Sequence, residues 1–182
     1  MLAFRRGDDA AFDTLFQRWA GPLLRYLERM LRDPATAEEL VQEAFLRVYR
    51  ARDRYQPEAR FSTWLYRIGT NLALNELRRP RRRILGVHAV VGIAAPLPAV
   101  GPATEDVVDA RRRGEAVGRA LAELPERQRA ALLLSAVEGR SYAEVAELLD
   151  VTEKAVKALV HRARTNLVSQ LDAKPEDPGD LA

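Results

Sequence analysis

Apolar residues recur at i, i+3 and i+4 along most of the chain, which predicts an all-α protein of amphipathic helices. Asp8 or Asp9 can cap a first helix carrying Phe12, Leu15, Phe16 and Trp19. Gly21-Pro22 should interrupt or kink it, because proline cannot donate the i→i−4 hydrogen bond. Leu23, Leu24, Leu27, Met30 and Leu31 resume the pattern. Asp33 as N-cap with Pro34 at the first helical position starts the next helix. Its core side is Ala37, Leu40, Val41, Ala44, Phe45 and Val48, and Glu38, Glu39, Gln42, Glu43, Leu46 and Arg47 lie opposite. Leu46 does not suit a purely solvated surface. Residues 52–62 contain Pro57 and polar side chains and predict a loop. Ser62 or Thr63 then starts a helix to about Arg79, with Leu65, Ile68, Leu72 and Ala73 inward. Gly69 inside it costs about 1 kcal/mol relative to alanine.

After a long non-periodic stretch, helical pattern returns near Asp106 with Val117, Ala120, Leu121 and Leu124. Pro125 is placed to open the following helix. There Arg127, Gln128 and Arg129 should face out and Ala131, Leu132, Leu134 and Val137 in, with Gly139 as the residue past the end. Ser141 and Glu144 form a capping box for a short helix with Val145, Ala146, Leu148 and Leu149 inward. Asp150 stands where the chain must turn, and aspartate tolerates the left-handed conformation better than most residues. Thr152 caps a last helix that buries Ala155, Val156, Leu159, Val160, Ala163 and Leu167. Its other faces carry Lys154, Lys157, His161, Arg162 and Arg164 against a single acid, Glu153. A capped helix, a short turn and a basic amphipathic helix form the layout that places a helix in a DNA major groove. A helical hairpin with a solvated basic face is the plainer alternative.

The 182 residues suffice for one medium domain or two small helical ones. With no cysteine and only His88 and His161, a disulfide framework, a zinc site or a thiol nucleophile is not expected. No apolar run reaches membrane-spanning length, and MLAFRRGDDAAF is too acidic and interrupted for a signal peptide, so a cytoplasmic protein without membrane insertion is expected. The net charge of +3 is too small to argue for nucleic acid by itself. Local clustering is what argues for it.

Two clusters stand out besides the last helix. Trp64, Arg67, Asn71, Asn75 and Arg78 line one helical stripe. An aromatic ring, two amides and two arginines on one face suit stacking with, and hydrogen bonding to, single-stranded nucleic acid. A tryptophan edging the core beside solvated polar groups is the alternative. The run Arg78-Arg79-Pro80-Arg81-Arg82-Arg83 suits phosphate contact or a solvated tail. It opens a linker rich in alanine, valine, glycine and proline, unusually apolar for a solvated tether. The C-terminal AKPEDPGDLA is acidic, proline-rich and expected to be disordered. No catalytic constellation, glycine-rich phosphate loop or metal-ligand cluster is present, so neither enzyme activity nor a cofactor is expected.

Taken together, the chain resembles the sigma-70 family of bacterial RNA polymerase sigma factors, in its small two-domain extracytoplasmic-function (ECF) group. The resemblance rests on RRGDDAAFDTLF, AEELVQEAFLRVYR and FSTWLYRIGTNLALNELRR in the first half. In the second it rests on LPERQRAALLLSAVEGRSYAEVAELL and TEKAVKALVHRAR. It implies a region 2 domain over 1–83, a linker over 84–110, a region 4 helix-turn-helix domain over 111–172 and a tail over 173–182. By matching position, Leu40, Val41, Gln42, Glu43, Phe45 and Leu46 would dock on the β′ clamp helices of core RNA polymerase. Tyr55, Phe61, Ser62, Trp64, Arg67, Asn71, Asn75, Arg78 and Arg79 would capture melted −10 bases. Thr152, Lys154, Lys157, His161, Arg162 and Arg164 would read −35 duplex DNA. The resemblance further implies the β flap of polymerase, promoter DNA and an anti-sigma factor as partners. Two positions depart from the family pattern: Asn75 stands where relatives often have Asp, and Gly69 where they often have Ala. Two rival readings use only part of the chain. One is a dimeric helix-turn-helix regulator without sigma activity; the other is a polymerase-docking adaptor without promoter specificity.

Overall fold

A computed structural model describes residues 1–79 and 105–172, and the side chains of residues 1–79 and 113–172. The expected linker, Arg81–Arg83 and the C-terminal tail therefore lie almost wholly outside the described residues. All regular structure among the described residues is helical. In chain order the helices are α1 (Leu2–Arg5), α2 (Ala10–Leu31), α3 (Pro34–Arg50), α4 (Phe61–Arg78), α5 (Glu105–Glu123), α6 (Glu126–Leu132), α7 (Tyr142–Leu149) and α8 (Glu153–Asp172). A single 3-10 turn spans Arg52–Arg54, and a π-helical turn spans Leu133–Val137.

The N-terminal module is α1 to α4. Helix α2 runs through Gly21-Pro22 without a break. The expected interruption does not occur because both flanks are held by tertiary contacts. Phe12 packs on Phe45 and Phe4, while Leu23, Tyr26, Leu27 and Met30 are fully buried. That burial offsets the roughly 3 kcal/mol that an interior proline costs. Arg32, left-handed at φ 54°, ends α2. Asp33 then caps α3, accepting from the Thr36 N–H at 3.3 Å and the Thr36 hydroxyl at 2.7 Å. Helix α4 begins at Phe61 with Arg60 at the N-cap, so neither Ser62 nor Thr63 starts it. Both are buried in its first turn.

Helix α4 is the centre of the molecule. Leu65, Ala73 and Leu72 are inward as expected, and so are Tyr66, Gly69, Thr70 and Leu74. The second buried side arises because the C-terminal module packs on α4 and α2. The buried side chains of both modules form one contiguous core. Arg129, expected to face out, is only 5% exposed. Its guanidinium donates to the Met30, Ala122 and Leu124 carbonyls, the last at 3.1 Å. These carbonyls sit at the C-terminal ends of α2 and α5, where intrahelical donors run out and negative dipole ends accumulate. One buried cation thus caps two helices. Conversely, Val117 and Val137, expected inside, are 41% and 49% exposed. Helix α5 already starts at Glu105, ahead of the boundary at 111, and Pro125 is an N-cap outside α6.

Candidate nucleic-acid interface

The loop before α4 is positioned by residues that hydrophobic patterning did not single out. Helix α1 buries Phe4 completely, and its Arg5 donates to the Tyr55 carbonyl at 3.0 Å. Arg52 lies over the Phe4 ring at 4.8 Å and pairs with Asp9 at 3.2 Å. The turn at Arg52–Arg54 is thereby fastened to the N-terminus. The signal was present as an apolar Phe4 beside paired arginines, but four residues are too few for a periodicity argument.

Fixing this turn creates a cleft of about 360 Å³. Arg54, Tyr55, Gln56, Glu58, Trp64 and Arg67 line it from the N-terminal module, and Glu147 on α7 joins them. Tyr55 and Phe61 flank the half-buried Trp64, with ring centroids at 5.1 and 6.1 Å. Burial raises the Tyr55 hydroxyl above its ordinary pKa. Along the rest of α4, Arg67, Asn71, Asn75 and Arg78 are exposed on one stripe, as the spacing predicts. Arg79 is exposed and ion-paired with Glu76 at 2.9 Å. Tyr55 and Ser62 do not join that open face, being 8% and 7% exposed. The Ser62 hydroxyl instead accepts from Arg140 at 3.2 Å.

A second surface lies on α3. Leu46 is 48% exposed, and Tyr49 and Phe16 beside it are 50% and 42% exposed. Gln42 is exposed and Leu40 and Glu43 are half-buried; Glu43 ties Arg47 at 2.8 Å. Val41 and Phe45, grouped with them on the strength of the sequence resemblance, point into the core instead. Position on a helix decides this: both fall on the Ala37–Ala44–Val48 side, which α2 and α4 cover.

The third surface is the helix pair α7–α8. Ser141 and Glu144 close the capping box, with the Glu144 N–H donating to Ser141 at 3.2 Å and the Ser141 N–H to Glu144 at 2.9 Å. The backbone hydrogen bond from Ser141 holds the Glu144 carboxyl below its ordinary pKa. Asp150 takes the left-handed turn at φ 53°. Thr152 caps α8 by accepting from Ala155 N–H at 3.2 Å. Val156, Val160 and Ala163 are buried, whereas Thr152, Lys154, Lys157, His161, Arg162 and Arg164 are all exposed. The result is a cationic helical face presented to solvent, suited to a phosphate-lined groove. No group of three or more potential metal ligands occurs among the described residues, and none of their helices is long and apolar enough to cross a membrane.

A helix-turn-helix with an open basic face, beside an aromatic cleft bordered by arginines and amides, defines a helical nucleic-acid-binding protein. Comparison with known proteins gives the family. The profile described as Sigma-70 region 2 matches residues 15–83, and that described as Sigma-70, region 4 matches residues 114–167. The chain is 35% identical over 171 residues to the ECF RNA polymerase sigma factor SigM of Mycobacterium tuberculosis, covering 94% of this chain and 82% of that one. Its fold is similar to that of CnrH, solved in complex with the cytosolic domain of CnrY (TM-score 0.69, 25% identity, 94% of each chain). It is also similar to RpoE from Bartonella quintana, solved with the anti-sigma factor NepR (TM-score 0.66, 24% identity, 91% of this chain and 99% of that one). The chain belongs to the sigma-70 family of RNA polymerase sigma factors, in the ECF group. Sigma factors are transcription initiation factors.

Proposed function

We propose that this chain acts in the cytoplasm as a non-enzymatic promoter-specificity subunit. In that role it binds core RNA polymerase, sets position by reading −35 duplex with α8, and captures melted −10 bases at the cleft and stripe of α4. The observation that carries this reading is that one molecule presents two chemically different exposed surfaces, a basic face on α8 and an aromatic, amide and arginine stripe on α4. Lys154, Lys157, His161, Arg162 and Arg164 suit duplex phosphates and base edges. Trp64, Arg67, Asn71, Asn75 and Arg78 suit unpaired bases. Unstacking costs a few kcal/mol per base, so a site for extruded bases supplies binding energy for strand opening. Bond formation belongs to the polymerase.

For docking on the polymerase, the exposed Leu46, Gln42, Tyr49 and Phe16, with the half-buried Leu40 and Glu43, form the contact surface on the β′ clamp helices. Val41 and Phe45 support it from below. The second module would contact the β flap. We take the region 2 module as 1–83, the linker as 84–110 and the region 4 module as 111–172, a division supported by the matched regions at 15–83 and 114–167. An anti-sigma factor is the expected regulator, by analogy with the partner of the Bartonella quintana protein.

In vitro transcription with core polymerase, with 5′ ends mapped genome-wide, tests this reading. Initiation from a set of promoters sharing two spaced elements is expected. A protein that ignores core polymerase on gel filtration yet dimerises on operator duplex would sink it.

A further inference from the structure

Two adjacent side chains in the first turn of α6 reach the helix pair α7–α8 at separate points. The Arg127 guanidinium donates through Nη2 to the Leu149 carbonyl at 2.6 Å. The Gln128 side-chain carbonyl accepts from the Asn166 amide at 3.2 Å.

Leu149 is the last residue of α7. Its carbonyl lies where intrahelical donors run out, so a donor from another helix meets a need that α7 cannot meet itself. The next residue, Asp150, makes the left-handed turn at φ 53° and ψ 57°. The Asp150 and Val151 N–H groups both fold back to the Ala146 carbonyl, the second at 3.0 Å. This turn sets the angle at which α8 leaves α7, and Arg127 fastens it to α6. Gln128 fastens the body of α8. Asn166 follows Lys157 by about two and a half helical turns, which puts it on the opposite side of α8 from that lysine. Helix α6 thus grips α8 from behind and leaves the basic face open.

DNA contacts of two kinds respond differently to slack in such a helix. Attraction to a phosphate falls off gradually with distance. A hydrogen bond to a base edge weakens steeply outside a narrow range of distance and angle. A reader helix that rocks on its hinge therefore keeps its grip on the backbone and loses sequence discrimination.

We propose that Arg127 and Gln128 are positioning residues, a two-point brace that fixes α8 for base-edge readout without touching DNA. The inference rests on the assignment of α8 to −35 duplex. Arg127 is exposed and cationic, so the rival role for it is a phosphate contact. The two roles leave opposite signatures. Loss of a phosphate contact weakens binding to every sequence and lowers the salt slope by about one. Loss of the brace lowers the ratio of matched to mismatched binding and leaves the slope alone.

The test uses holoenzyme assembled from the full chain and core RNA polymerase, offered a pool of random-sequence duplexes at several salt concentrations. The parent should enrich an upstream element over its single-base mismatches. Arg127→Met, which keeps the apolar stem, should lower that ratio about five-fold or more with the salt slope unchanged. Asn166→Ala, which alters no charge, should lower the ratio in the same sense. A merely structural role would reduce the active fraction and scale all duplexes alike, leaving the ratio intact. Hydrogen exchange of the free chain supplies a readout without DNA: the Asp150 and Val151 amides should exchange faster in Arg127→Met. An unchanged ratio in both variants, a salt slope lowered by about one in Arg127→Met, or unaltered exchange at the turn would each overturn the proposal. Those outcomes leave the parent's upstream element in place. A parent that enriches no upstream element would instead overturn the duplex reading itself, and the proposal with it.

Discussion

A Cβ added to Gly69 on α4 would lie 2.8 Å from Cδ1 of Leu23 on α2, closer than carbon atoms pack. Leu23 is fully buried, so its side chain has little room to retreat. This contact accounts for a glycine where the resemblance leads one to expect alanine. The propensity lost to glycine in mid-helix is exchanged for close approach of α2 and α4, next to the buried hydrogen bond between Tyr26 and Thr70 at 2.9 Å. Gly69→Ala gains about 1 kcal/mol of helix propensity but meets an overpacking cost of about 1–3 kcal/mol. Urea unfolding should show a net loss of about 1 kcal/mol, and a larger loss for Gly69→Val. A more stable alanine variant would refute the packing account.

Arg129 caps two helices with one guanidinium, and its removal strands buried carbonyls. Arg129→Met should lower stability by about 3 kcal/mol, from lost charged hydrogen bonds and unsatisfied acceptors. Arg129→Lys should recover only part, because an ammonium cannot serve three carbonyls in the planar geometry of a guanidinium. Thermal unfolding of the three proteins checks the order. Equal stability of Arg129→Met and the parent would mean the carbonyls are satisfied otherwise.

The capping box makes stability acid-sensitive. Glu144 has a folded-state pKa below its ordinary value of 4.5. Its contribution is therefore complete above pH 4.5 and is lost as pH falls through the folded-state value. Melting temperature plotted from pH 6 downward should fall less steeply for Glu144→Gln than for the parent over that acid window. Parallel curves would show that Glu144 is not linked to folding.

On α8, substituting a residue that reads a base edge should cost about 1–3 kcal/mol and relax specificity at one promoter position. Substituting one that touches phosphate should weaken binding to all sequences and flatten the salt dependence. Alanine variants of Lys154, Lys157, His161, Arg162 and Arg164, assayed by initiation at several salt concentrations, sort the two kinds. Intact −35-dependent initiation in all five would remove α8 from the role proposed for it.

Trp64→Ala with Asn71→Ala should impair strand opening more than duplex binding. Permanganate reactivity of −10 thymines measures the first and filter binding the second. Undiminished reactivity would show that the stripe does not hold unpaired bases.

Much of the local architecture was legible because it depends on neighbours in the chain. The Asp33 and Thr152 caps, the Ser141–Glu144 box, the left-handed Asp150 and the exposed basic face of α8 are all short-range consequences of residue type and spacing. The stripe Arg67–Asn71–Asn75–Arg78 follows likewise from helical periodicity. What tertiary structure alone decided is which sides of a helix meet other helices. Periodicity finds one apolar side, but α4 is buried on two, so Tyr66, Thr70 and Leu74 went unrecognised. Val41 and Phe45 are buried on the side that periodicity had already marked as core, although the resemblance grouped them with the docking residues. Arg129 carries no hydrophobic signal, yet it is buried because distant helix ends supply its acceptors. The two modules share one seam through Tyr66, Glu138 and Arg140, residues that look solvated in sequence. Local signals specify how each segment folds; burial of a charge or a hydroxyl depends on partners brought together from across the whole chain.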